Sequence, residues 1–208
     1  FEEMLELSSL GAKVLQIRSV EFASKYEMPI RVLSSFSSTG GTLITKEESG
    51  LESAVISGIT CTDDDSKLIL RNVPDTPGIA AKILSPVSDA GIDIDVIVQN
   101  VGSDKLTDFT FTVKNEHSDK AAKILNDLVT TLGGGEIELV KDISKVSVVG
   151  VGMKSHAGVA AQMFKALAEQ QINIDMISTS EIKISVVVSK DKSKAAVMAL
   201  HDEFELDK

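Results

Sequence analysis

Apolar residues along this chain follow two rhythms, and the rhythms recur in the same order twice. Alternation in KLILRNV and KVSVVGVG predicts strands, each followed by a short polar turn. Helical spacing comes next: Ile79, Ile83 and Val87 in the first case, Val159, Met163 and Leu167 in the second. Strands then follow over IDIDVIVQ and DFTFTVK, and over INIDMIST and IKISVVVS. DKAAKILNDLVTTLG and DKSKAAVMALHDEF again place apolar residues on one helical face. The order is β-α-β-β-α, repeated, and GEIELVKD adds a closing strand to the first copy only.

The repeat is also visible residue by residue. VPDTPGIAAKIL aligns with VGMKSHAGVAAQMF so that Gly158 lies eighty positions after Gly78. The same offset superposes Ile92, Ile94, Asp95 and Ile97 on Ile172, Ile174, Asp175 and Ile177. The fold class expected is α+β: two ferredoxin-like βαββαβ modules in which two helices cover one face of a sheet. The second copy lacks a strand, and SAVISGITC, ahead of the repeats, has no partner, so it is expected to complete the second sheet. Residues 1–48 read helix, helix, strand (PIRVLSS), glycine turn, strand (GTLIT) and look like the tail of a larger α/β domain. Because the chain starts at Phe1 inside a helical pattern, an upstream segment is expected.

Composition narrows the function. A formal charge of −10 repels phosphate backbones and anionic surfaces, so neither nucleic acid nor membrane is expected as partner. No apolar stretch approaches bilayer length, and the single Cys61 cannot form an internal disulfide; a cytoplasmic location is expected. RNA-binding modules share the topology but stack bases on strand aromatics and carry basic surfaces, whereas aromatic residues are 4% here. Metal chemistry has no spacing to support it, since His117, His156 and His201 are scattered. Ser155 beside His156 makes no triad and reads as helix capping, and LGGGE reads as a helix stop.

One motif suits a zwitterionic ligand. In DTPG, Pro77 fits the first helical position and Gly78 permits close approach, so the amides that begin the helix can receive a carboxylate. Capping by Asp75 or Thr76 is the competing reading. Gln99 can both donate to and accept from an amino acid.

The strings EMLELSSLGAKVLQIRSVEFA, VPDTPG, IVQN, VGMKSHAGVAA and INIDMISTSEIKIS closely resemble the C-terminal half of monofunctional bacterial aspartate kinases, over essentially the whole chain. The resemblance implies ACT modules for the repeats and a full-length enzyme that phosphorylates aspartate with ATP and Mg. It also implies feedback inhibition by threonine, lysine or both, with the ACT modules pairing in a homo-oligomer or with a catalytic subunit. The division implied is 1–48 for the end of the kinase domain, 49–65 for a linker and the strand completing module 2, 66–143 for module 1 and 144–208 for module 2. It implies no catalytic site and no cofactor within this chain. Effector contacts carried over from the family are Asp75, Thr76, Pro77, Gly78, Ile79, Ala80, Asp93, Ile94, Asp95 and Gln99 in the first module. In the second they are Val159, Ala160, Asn173, Ile174, Ser180 and Glu181. Read alone, Ile94 and Ile174 suit core packing, Asp93 and Asn173 a solvated strand start, and Glu181 either a surface position or a lysine ammonium. An ACT sensor of another enzyme, such as a kinase fused to homoserine dehydrogenase, is the alternative.

Overall fold

The computed structural model describes residues 1–37, 39–46, 55–102 and 105–207. Helices α1 (Glu2–Ser9) and α2 (Ile17–Lys25) lead into a hairpin of β1 (Ile30–Val32) and β2 (Thr42–Ile44), with Ile30 opposite Ile44. α2 buries Val20 and Ala23 and leaves Phe22 and Tyr26 exposed, stacked on each other with centroids 6.4 Å apart. The expected linker over 49–54 lies outside the described residues. β3 (Gly58–Thr62) is shorter than the SAVISGITC stretch, whose first two residues are also outside them.

The first module runs β4 (Asp65–Pro74), α3 (Ile79–Asp89), β5 (Ile94–Val101), β6 (Leu106–Lys114), α4 (Asn115–Leu132) and β7 (Glu136–Val140). Its sheet is antiparallel, in the order β5-β6-β4-β7. Strand alternation sends Leu68 and Leu70, then Phe109, Phe111 and Val113, to one face. There they meet Ile79, Ile83 and Val87 of α3 and Ala121 and Leu125 of α4, all buried. Each large apolar side chain so enclosed contributes about 1.5–3 kcal/mol. α4 stops at Gly133, whose φ of 82° is a left-handed cap, as LGGGE predicts.

The second module runs β8 (Ile143–Val149), a 3-10 turn at Val151–Lys154, α5 (Val159–Glu169), β9 (Met176–Thr179), β10 (Lys183–Ser189) and α6 (Ser193–Glu203). Its sheet order is β3-β8-β10-β9, with β3 antiparallel to β8 and Thr60 opposite Ser147. β3 therefore occupies the edge that β7 holds in the first module. Ile56, Val146, Val148, Val159, Met163, Leu167, Val186 and Leu200 form the core. By compactness the chain divides into Phe1–Thr62 with Lys145–Lys208, and Asp63–Ser144.

Candidate functional site

The turn between β4 and α3 carries the DTPG motif. Its start is tied down by the Asp75 amide donating to the Lys105 carbonyl at 2.8 Å. Gly78 is the N-cap of α3 with φ 89°, a left-handed conformation that costs an L residue energy and glycine little. Pro77 thus precedes the cap and is not the first helical residue. Neither Asp75 nor Thr76 caps with its side chain; Thr76 contributes its carbonyl, which accepts from the Ile79 amide at 3.0 Å. α3 begins without a side-chain cap, and first-turn amides such as those of Ala80 and Ala81 find no acceptor within a helix.

Asp75, Thr76, Pro77, Gly78, Ile79, Ala80 and Gln99 together line an open depression of about 390 Å³. Gln99 comes from β5, opposite Phe109 of β6, so register sets its side chain beside the turn. Ile79 forms the floor, 5% exposed and part of the core. A Cβ at Gly78 would meet nothing within 4 Å, so the glycine serves the backbone conformation and leaves the depression open.

Asp93, Ile94 and Asp95 do not line it. Ile94 and Asp95 begin β5 and Asp93 directly precedes it, four to six residues from Gln99, roughly 13–20 Å at strand rise. Asp93 and Asp95 are exposed, and Ile94 packs on the core.

Eighty residues later the backbone repeats. Gly158 caps α5 with φ 102°, again without a side-chain bond, and again nothing lies within 4 Å of a Cβ there. Gln162 donates to the Gly158 carbonyl as Lys82 donates to that of Gly78, both at 3.0 Å. Val159 is buried in the core, with Ala160 and Ile174 packed on it. Asn173 is exposed and donates to Asp175 Oδ1 at 3.4 Å. Ser180 and Glu181 form the β9–β10 turn, closed by the Ser180 amide on the Lys183 carbonyl at 2.8 Å. The Gln99 position is taken here by Thr179, at the end of β9.

The structure corrects the capping role of Ser155 and His156. Both close the 3-10 turn: Ser155 Oγ donates to the Gly152 carbonyl at 3.2 Å, and His156 Nδ1 lies 2.8 Å from the same oxygen, to which it must donate. That turn carries a residue the motifs did not single out. Lys154 Nζ stands 4.0 Å from Glu181 Oε2 and 3.2 Å from Glu2 Oε2. Nothing in its sequence spacing marks it, because its partners lie 27 and 152 positions away. Among the described residues, no group of three or more His, Cys, Asp and Glu stands together as a metal site, and no helix is long and apolar enough to cross a membrane.

Comparison with known proteins bears on both modules. Residues 68–130 and residues 146–204 each match the ACT domain family. The chain is 58% identical over 208 residues to an aspartate kinase of Pseudomonas fluorescens, covering all of this chain and 50% of that protein. It spans about half the length of the curated relatives it matches. The crystal structure of the regulatory subunit of aspartate kinase from Thermus thermophilus, in ligand-free form, is similar with a TM-score of 0.69 and 39% identity. That match covers 72% of this chain and 99% of the subunit. The crystal structure of aspartate kinase from Synechocystis matches 99% of this chain and 37% of its own, with a TM-score of 0.73 and 35% identity.

Proposed function

This chain belongs to the aspartate kinase family as a tandem ACT regulatory segment, and from that premise we propose that it binds a free amino acid, threonine or lysine or both, to restrain a kinase site carried elsewhere in the protein. The restrained reaction is phosphoryl transfer from ATP, with Mg, to the side-chain carboxylate of aspartate. In this reading residues 1–48 end the catalytic domain, 49–65 link it to β3 and the second sheet, 66–143 are the first ACT module and 144–208 the second.

The observation that carries the reading is the depression at the left-handed Gly78, which gathers Asp75 to Ala80 with Gln99. The ligand carboxylate takes the first amides of α3, where the helix dipole favours an anion. Its ammonium takes carbonyl and carboxylate acceptors of the turn, and Gln99 bonds to the zwitterion. Asp93 and Asp95, too far along the chain from Gln99 to touch the same molecule, face an effector held against a paired copy, and Ile94, packed on the core, offers that effector its backbone alone. In the second module Val159, Ala160, Asn173, Ile174, Ser180 and Glu181 play the corresponding part, with Glu181 as acceptor for a lysine side chain.

Control follows only if the effector binds one arrangement of the protein better than another. A tenfold preference is about 1.4 kcal/mol, within reach of a few charge-assisted hydrogen bonds. The edge strands β5 and β9 expose Ile97, Val101 and Ile177 and offer unpaired backbone, so copies are expected to pair there.

Calorimetric titration with threonine and with lysine tests the proposal on the parent and on Gln99→Ala. A hydrogen bond to a charged group is worth about 1.5–3 kcal/mol, so threonine affinity should fall at least about tenfold, with circular dichroism unchanged and lysine affected less. Parent-like binding by Gln99→Ala, and equally by Ser180→Ala and Glu181→Ala, would refute the residue assignment.

A further inference from the structure

One face of α1 carries Glu2, Glu3, Glu6 and Leu7, and each of these meets the second module within the same compact unit. Glu2 Oε2 lies 3.2 Å from Lys154 Nζ, and Glu6 Oε2 lies 3.0 Å from Lys183 Nζ. Glu3 Oε1 accepts from the Val151 amide at 2.9 Å and from Ser57 Oγ at 2.5 Å. Leu7 covers Gly58, where an added Cβ would lie 3.2 Å from its methyl.

The targets of these contacts are not spread over the module. Val151 and Lys154 form the 3-10 turn that leads to Gly158 and α5, and Lys183 is the first residue of β10, directly after the Ser180–Glu181 turn. Lys154 also lies 4.0 Å from Glu181. The two lysines therefore flank the turn that carries two of the second-module candidates, Ser180 and Glu181.

We infer that this face of α1 is the element that couples the second-module site to the N-terminal helical segment, with Lys154 and Lys183 as positioning residues tying the Ser180–Glu181 turn to Glu2 and Glu6. The bonds differ in weight. Lys154 and Glu2 are 41% and 63% exposed, so water and salt screen that pair and it can exchange partners. Lys183 and Glu6 are 24% and 28% exposed, and the Glu3 carboxylate receives a backbone amide, so these hold α1 in place. Lys154 is the movable part. A ligand ammonium at Glu181 repels it toward Glu2, so occupancy tightens the hold on α1; by linkage, tightening α1 favours occupancy. This ligand step rests on the reading of Glu181 as an effector contact; the coupling of α1 to the turn does not.

Hydrogen exchange on the full chain separates the two. Without ligand, Lys183→Gln and Glu3→Gln should each raise exchange about threefold or more in α1 and in 180–183, leaving α6 unchanged, which excludes general destabilisation. The charge reversal Glu6→Lys with Lys183→Glu should restore both segments. Unchanged exchange at 180–183 in both single variants overturns the coupling. With saturating lysine, α1 exchange should slow in the parent, and Lys154→Gln should abolish that slowing while lysine still binds by calorimetry. Binding heat with no response in α1 overturns the ligand step. If neither lysine nor threonine binds, the amino-acid reading fails, and the ligand-free variants alone decide the coupling.

Discussion

Gly150 lies in extended backbone with φ −178°, a conformation any residue adopts, yet a Cβ there would stand 2.1 Å from the Val55 carbonyl oxygen and 2.7 Å from Ile56 Cα. Backbone cannot step aside as a side chain can, so Gly150→Ala should destabilise by about 1–3 kcal/mol through overpacking, measured by urea unfolding. Gly78 is constrained for the opposite reason. Space is open around it, but φ 89° costs an alanine about 1–2 kcal/mol, and relief of that strain would reshape the start of α3. Gly78→Ala should therefore lower threonine affinity more than it lowers the melting temperature. Gly78 stands in the DTPG motif and could be assigned a reason from sequence; Gly150, inside the predicted strand KVSVVGVG, could not, because its reason is a segment about 95 positions earlier.

At the level of elements, the pairing of β3 with β8 decides how the second module is closed. The first module draws all four strands from one continuous stretch, β4 to β7, whereas the second draws its edge strand from ahead of both repeats. Removing residues through Thr62 would uncover the β8 edge and strip Ile56 from the core. Limited proteolysis of such a truncated chain should leave β4 to β7 protected and cut within the second module. Periodicity located nearly every strand and helix of the repeats, since burial on one face imposes period two or 3.6. It ran too far in KVSVVGVG, where β8 ends at Val149 and Val151–Lys154 wind into a 3-10 turn. The apolar character of that turn reflects packing of Met153 on the core, not strand continuation.

On the scale of the whole chain, contiguity predicts autonomy. Residues 63–144 hold a complete sheet, two helices and the Gln99 depression, so this segment alone should fold cooperatively and bind threonine. Residues 145–208 alone should not, for want of β3. Chemical denaturation of each segment checks both expectations. Since the nucleotide and aspartate sites are proposed to lie outside residues 1–208, the purified chain is expected to form no aspartyl phosphate from ATP and aspartate. Detection of that product by hydroxylamine trapping would contradict the domain assignment.

The repeat and the class of fold were readable from sequence because each is written in local spacing: alternation in the strands, i and i+4 in the helices, and an offset of eighty from Gly78 to Gly158; the family was legible only through the resemblance of whole strings such as VPDTPG and VGMKSHAGVAA to known members. The gathering of Asp75 to Ala80 was local too. What joined Gln99 to them was the register of β5 on β6 and the course of the β4–α3 turn, which no spacing encodes. Tertiary structure alone brought Lys154 between Glu2 and Glu181, and set Glu3 and Glu6 against the second module. Those contacts depend on the docking of α1, where single charges at long separation carry no periodic signal; their positions follow from the closed sheets and not from their neighbours in sequence.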